Sequence, residues 1–172
     1  PSLIPKLRKT APNLKLIIEE NFTANLFQSL KQGALDAIII SYPFDEPGIE
    51  TAPLYDEPFI VALPRNHEWK QREQIKPEDL ASQDLMLLGA GHCFRDQVIQ
   101  ACPDCMSGDS ELTRTLEGGS LETIRHMVAA GTGITVLPRT SITQSQKNEA
   151  LIDIKPFSKP SPSRTVAIAW RK

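Results

Sequence analysis

The chain has 172 residues, 40% of them apolar, with 19 Lys or Arg against 21 Asp or Glu and a net charge of −2. That length allows one domain or two small ones around a real core, and no apolar run approaches the ~20 residues of a membrane span. The acidic balance lacks the basic stripe of a nucleic-acid contact surface, and no basic-apolar-small leader opens the chain.

Residues 3–10 carry Leu3, Ile4 and Leu7 on one side and read as the tail of an amphipathic helix. Pro12-Asn13 stops it, and residues 14–18 read as a short strand. Residues 25–32 place Leu26, Phe27 and Leu30 at helical spacing, with Gly33 positioned for a left-handed cap. Residues 37–40 are wholly apolar, as in a strand that a parallel sheet buries on both faces. Residues 59–63 form a strand halted by Pro64, residues 77–81 one helical turn, and residues 85–88 another buried strand. Ser120 is a good N-cap for a helix whose apolar stripe is Leu121, Ile124, Met127 and Val128. Gly131 closes that helix, residues 134–137 are the next strand, residues 155–163 a Pro- and Ser-rich loop, and residues 165–170 a last strand. Strand-helix alternation predicts an α/β fold with largely parallel sheets. There is no internal repeat. An opening helix with no strand before it, and a last strand that ends the chain, read as part of something longer.

The chemically loaded stretch runs from Gly91 to Cys102. Cys93 and Cys102 are nine residues apart, and Cys93 is flanked by His92 and Arg95. A thiol reacts as its thiolate, which adjacent cations favour; a helix opening near Cys93 would add the positive potential of its free N–H groups. The competing structural reading makes both cysteines apolar filler, since free Cys is among the most buried residue types. Three cysteines, in a chain too long to need a disulfide framework, fit a reducing compartment where any disulfide is transient, catalytic or sensory. Cys105 follows as Cys102-Pro103-Asp104-Cys105, a CxxC of the kind seen in redox pairs and half zinc sites. Zinc would need Cys93, Cys102, Cys105 and one of His67, His92 or His126, with no second closely spaced ligand pair. Neither a metal nor another cofactor is expected.

Three segments, Gly-Ala-Leu-Asp-Ala-Ile-Ile at 33–39, Leu-Tyr-Asp-Glu-Pro at 54–58 and Ala-Gly-Thr-Gly-Ile-Thr-Val-Leu-Pro at 130–138, resemble the regulatory domain of LysR-type transcriptional regulators. Gly-His-Cys-Phe-Arg-Asp-Gln at 91–97, with Cys102 nine residues after Cys93, is similar to the peroxide-sensing branch of that family, as are residues 120–131. The resemblance covers the whole chain. It implies an α/β fold of two subdomains with mixed, largely parallel sheets, like periplasmic binding proteins, joined by two crossover strands. Residues 1–56 with 167–172 would form one subdomain, and residues 57–166 the second, carrying the redox cysteines. The resemblance makes Cys93 the peroxide-reactive cysteine and Cys102 the resolving one, a sulfenic acid on Cys93 condensing with Cys102 to a reversible disulfide. It puts Thr23, His92, Arg95 and Asp96 in the peroxide pocket, the last three flanking the thiol. The partners it implies are hydrogen peroxide, further copies of the chain as a dimer or tetramer, DNA through a separate amino-terminal domain, and a cellular disulfide reductant in the cytoplasm. No membrane is involved.

The residues themselves leave alternatives open. Thr23 can cap the helix that follows as well as line a pocket. Arg95 and Asp96 can pair at the surface for ~0–1 kcal/mol, or Arg95 can stabilise a thiolate and a leaving hydroxide while Asp96 orients it. Cys105 lies outside the family pattern and can compete with Cys102 as resolver. A helix over residues 93–102 would separate Cys93 and Cys102 by roughly 13 Å of rise, whereas a disulfide needs Cα atoms within about 4.4–6.8 Å, so oxidation would have to remodel the segment. Three functions compete: a redox-sensing regulatory module, a module binding a small organic effector with incidental thiols, and a CxxC oxidoreductase. The last is weakest, because such a motif normally opens a helix and here Pro103 follows one. A sensor consumed by its oxidant is not an enzyme.

Overall fold

The computed structural model describes residues 3–106, 117–142 and 151–172. Its helices are α1 (Leu3–Thr10), α2 (Thr23–Lys31), α3 (Cys93–Ala101) and α4 (Leu121–Ala129). Its strands are β1 (Ala37–Tyr42), β2 (Ile49–Pro64), β3 (Leu85–Leu88), β4 (Glu117–Gly118), β5 (Ile134–Pro138), β6 (Ile152–Pro156) and β7 (Ser163–Arg171).

β2 is the spine. Its first part pairs antiparallel with β7, from Ile49 opposite Arg171 to Pro58 opposite Ser163. Its last part pairs antiparallel with both β5 and β6. β1 lies on the far side of β7, and β3 carries the order on from β5 to β4, giving β1-β7-β2-β5-β3-β4 with β6 on β2.

The sheet is therefore mixed, and the expectation of a largely parallel one is corrected: among the described strands, only the two pairings of β3 are parallel. The reason is visible in β1. Its run of isoleucines alternates, with Ile38 and Ile40 buried and Ile39 58% exposed. That is a half-buried strand, and it runs antiparallel to β7.

Apolar burial forms two clusters. The larger gathers Val61, Leu63, Met86 and Leu137 from the strands, Phe94 and Val98 from α3, and Ile124 and Val128 from α4. The smaller joins Leu30 of α2, Ile38 and Ile40 of β1, and Ala169 of β7. Glu57 sits where β2 passes from its β7 pairing to its β5 pairing, and its carboxylate is fully buried. Arg164 donates to it through Nε at 2.7 Å and lies at 2.6 Å through Nη2, and Thr140 donates as well. A charge this deep is tolerable only when paired in this way.

Local chemistry explains the helices. Ser120 Oγ accepts from the Thr123 N–H at 3.1 Å and starts α4 as expected. Gly33 follows α2 at φ +80°, a left-handed value that favours glycine. α2 starts earlier than its apolar spacing predicts. Phe22 occupies the cap position, so Thr23 is the first helical residue rather than the cap, and Asn21 Oδ1 accepts from the Phe22 N–H at 2.9 Å. Residues 14–18 are not a strand. They have strand-like apolar content, but Leu14, Leu16, Ile17 and Ile18 are exposed and no described strand supplies the backbone partner that a ladder requires.

Candidate functional site

β3 delivers the chain through Gly89-Ala90-Gly91 into α3. Gly91 has φ +92°, a left-handed conformation that favours glycine, while a Cβ there would stand in ordinary contact with the Phe22 ring. His92 takes the cap position in extended conformation, its ring 4.8 Å from that of Phe22. Cys93 is then the first residue of α3, and its thiol is free and exposed. Phe94 and Val98 of the same helix are buried against the larger core.

Residues four and seven beyond Cys93 share its helical face. Cys93, Gln97 and Gln100 accordingly line one wall of a cavity of about 480 Å³. Thr23 of α2, Tyr42 at the end of β1, and Arg164 and Thr165 of β7 contribute other walls. Gln97 Oε1 is buried and has no hydrogen-bond partner among the described residues. A cavity of about 520 Å³ elsewhere, lined by Ile60, Ile142 and Ile154, contains no cysteine.

The fold thus brings Thr23 and Cys93 to the lining of one cavity. It puts Arg95 to other use. The Arg95 guanidinium donates through Nη1 to the Leu88 carbonyl at 2.8 Å and to Glu117 Oε1 at 2.6 Å, tying α3 to β3 and β4. Neither Arg95 nor His92 lines the cavity, and Arg95 is paired with Glu117 rather than Asp96. Asp96 is exposed in the first turn of α3, where an acidic side chain complements the helix dipole. Fixed positive potential at Cys93 comes from that same helix terminus. Gln97 was missed by the sequence reading, although its place four residues after Cys93 is the signal that finds it once the helix start is known.

At the other end of α3, the Cys102 N–H donates to the carbonyls of Val98 at 3.0 Å and Ile99 at 3.2 Å. A 3-10 turn over Pro103–Met106 follows, with the Cys105 N–H donating to the Cys102 carbonyl at 3.1 Å. Cys102 and Cys105 are joined in a disulfide, Cα to Cα 5.6 Å, and are 2% and 5% exposed. The disulfide present is therefore not the Cys93–Cys102 pair that the family resemblance implies. Residues three apart in a 3-10 turn stack over one another, whereas the whole of α3, roughly 13 Å of rise, separates Cys93 from Cys102. Among the described residues there is no cluster of three or more His, Cys, Asp or Glu able to hold a metal ion.

Comparison with known proteins adds the following. Residues 1–172 match the LysR substrate binding domain family. The chain is 37% identical over 171 residues to the DNA-binding transcriptional dual regulator OxyR of Escherichia coli, which covers 99% of this chain and 55% of that protein. It thus spans about half the length of the curated relatives it matches. The reduced form of the OxyR regulatory domain from Pseudomonas aeruginosa superposes with a TM-score of 0.88 at 50% identity, covering 98% of this chain and 80% of that one. A hydrogen peroxide-bound mutant of OxyR from Corynebacterium glutamicum superposes with a TM-score of 0.86 at 28% identity, covering 99% of this chain and 53% of that one.

Proposed function

The chain belongs to the LysR substrate binding domain family and, within it, to the OxyR regulatory domains, and from that premise we propose that it senses hydrogen peroxide through Cys93 on behalf of a transcriptional regulator. It is a regulatory domain and not an enzyme. The observation that carries the reading is the free, exposed Cys93 at the first position of α3, in the wall of a cavity shared with Thr23 and Gln97.

Peroxide enters that cavity. The Thr23 hydroxyl donates to one peroxide oxygen and Gln97 Oε1 accepts from its O–H. The Cys93 thiolate attacks the nearer oxygen, the O–O bond breaks, and the leaving hydroxide takes a proton to become water. The Cys102 thiol then displaces the sulfenic oxygen: an S–S bond forms, the S–O bond breaks, and a second water leaves. This second step requires a reduced Cys102 and at least partial unwinding of α3, given the roughly 13 Å that the helix interposes.

Unwinding reaches the rest of the molecule through Phe94. Its ring packs edge-on against Phe59 of β2 at 5.0 Å, and the Arg164 guanidinium of β7 lies 5.3 Å above it while also holding Glu57. The reading takes residues 1–56 with 167–172 as one subdomain and 57–166 as the other, with β2 and β7 as the two connections. Two separate apolar clusters support it, with β2 running from Ile49 beside the smaller one to residues 59–63 in the larger. His92, Arg95 and Asp96 act in it by fixing the first turn of α3 beneath the thiol. The partners proposed are hydrogen peroxide, further copies of the chain as a dimer or tetramer, DNA through another part of the longer protein, and a disulfide reductant of the cytoplasm.

A free-thiol count with peptide mapping, before and after stoichiometric peroxide on fully reduced protein, tests the proposal. Loss of Cys93 first, followed by its appearance in a bond with Cys102, is the expected result. Thiols indifferent to peroxide, in a protein whose melting temperature rises with a small organic ligand, would favour the effector-binding alternative.

A further inference from the structure

We infer that Cys105 is a third member of the redox site: it takes Cys102 from Cys93, which ends the signal and leaves the sensor refractory until a dithiol reductant reopens the new bond. This rests on the peroxide-sensing reading above and deepens it.

The observations are positional. Cys102 has one sulfur and two candidate partners. Cys105 lies one 3-10 turn away, at a Cα separation of 5.6 Å, and is bonded to it in this structure. Cys93 lies at the far end of α3 with its thiol free. The two disulfides exclude each other chemically, because both use Cys102. They also exclude each other structurally, because Cys93–Cys102 demands an unwound α3 and Cys102–Cys105 is compatible with an intact one.

Two terms favour passage from the first bond to the second. Refolding α3 returns Phe94 and Val98 to the larger core, where both are buried. The loop closed by Cys102–Cys105 is also shorter than the one closed by Cys93–Cys102, so it loses less chain entropy on closure.

The chemistry balances without a new oxidant. Peroxide converts Cys93 to the sulfenic acid with loss of one water, and Cys102 condenses with it with loss of a second. The Cys105 thiolate then attacks the Cys102 sulfur. The Sγ–Sγ bond between 102 and 105 forms, that between 93 and 102 breaks, and its electron pair stays on Cys93, which is protonated to the thiol. The exchange moves one disulfide and changes no overall oxidation state. Its product is the arrangement seen here: α3 intact, Cys93 free and Cys102 engaged. In that form a second peroxide can oxidise Cys93, but no internal thiol remains to resolve the sulfenic acid. Sensing resumes only when an external dithiol attacks the Cys102–Cys105 bond and is itself oxidised to a disulfide.

Trypsin makes the test direct. Cleavage after Arg95 and Arg114 leaves Cys93 in one peptide and both Cys102 and Cys105 in the next, so the two disulfides are an inter-peptide and an intra-peptide species. Fully reduced protein would receive one equivalent of peroxide, be quenched with an alkylating agent over time, and be mapped. In the unmodified chain the inter-peptide bond should appear first and decay as the intra-peptide bond grows, with Cys93 becoming alkylatable again. In Cys105→Ser the inter-peptide bond should persist, with a lifetime longer by about tenfold or more. The inference is overturned if the inter-peptide bond persists in the unmodified chain with Cys105 alkylatable throughout. It is equally overturned if the intra-peptide bond forms as fast in Cys93→Ala as in the unmodified chain, since Cys93 would then not be its source. A Cys105→Ser protein that forms no inter-peptide bond and retains Cys93 as a thiol would instead overturn the sensing reading itself. The time course in the unmodified chain depends on no variant's folding.

Discussion

The reactivity proposed for Cys93 depends on where α3 begins. Starting the helix one residue later would move the thiol off its terminus, and the turn at Gly91 fixes that start. The same choice sets Gln97 beside it, with a buried acceptor oxygen lacking a partner among the described residues. A hydrogen bond between neutral groups is worth about 0.5–1.5 kcal/mol net. Gln97→Ala should therefore slow oxidation of Cys93 by peroxide roughly three- to tenfold. Alkylation of the same thiol by iodoacetamide, which needs no such acceptor, should be unchanged. Equal slowing of both reactions would show that the substitution acts on the thiol and not on peroxide. Arg95 illustrates why sequence reading of single residues goes astray here. Its neighbour Asp96 and its neighbour-but-one Cys93 are the partners a local reading offers. The guanidinium is instead claimed by Glu117, which is 22 residues away in sequence, and by the Leu88 carbonyl.

At the level of elements, α3 is held by unequal attachments. Phe94 and Val98 bury it in the larger core, while Arg95 pins its first turn to β3 and β4 through a bridge whose acidic partner is 48% exposed. Such a bridge is worth ~0–1 kcal/mol, too little to govern stability but enough to set the ease of a local opening. Glu117→Gln should leave the melting temperature nearly unchanged and the rate of sulfenic acid formation on Cys93 unchanged. In a Cys105→Ser background it should speed closure of the Cys93–Cys102 bond by up to about fivefold. Stopped-flow oxidation followed by timed alkylation separates the two steps, and an unchanged closure rate would show that Arg95 is not part of the restraint. Elements with strong local signals were legible. The stripe and Ser120 cap of α4 appear as read, and residues 93–101 form the helix on which the expected separation of Cys93 from Cys102 is conditioned. The strand expected at residues 14–18 does not, because a strand is defined by a neighbour's backbone, which no local pattern contains. The Cys102–Cys105 bond was half legible: the CxxC spacing was visible, but that its two sulfurs stack in a 3-10 turn was not.

At the level of the whole molecule, β2 runs from the smaller apolar cluster to the larger, and Glu57, where its pairing passes from β7 to β5, is buried with Arg164 and Thr140 as partners. Arg164 also covers Phe94, so Glu57 of β2 and Phe94 of α3 share one guanidinium. Arg164→Met keeps much of the side-chain volume but leaves Glu57 as an unpaired buried charge, which costs about 3–5 kcal/mol. Urea unfolding should show a loss of that size, partly restored by adding Glu57→Gln. No recovery in the double variant would mean the cost lies in lost packing on Phe94. Sheet order was the least legible feature. Sixteen consecutive residues form one strand that changes partners midway. Strand periodicity marks only its apolar end, residues 59–63, while 54–58 stands out only through the family resemblance, and strand-helix alternation suggests parallel pairing for strands that are mostly antiparallel.

The central claim, that peroxide closes Cys93 onto Cys102 by opening α3, is tested most directly by amide hydrogen exchange in Cys105→Ser. Reduced protein and protein treated with one equivalent of peroxide would be compared across residues 93–102, alongside a count of free thiols. The account predicts that two thiols disappear together and that the buried amides of α3, including those of Val98 and Ile99, exchange much faster after oxidation. Loss of both thiols with α3 still protected, or faster exchange with both thiols still free, would contradict it.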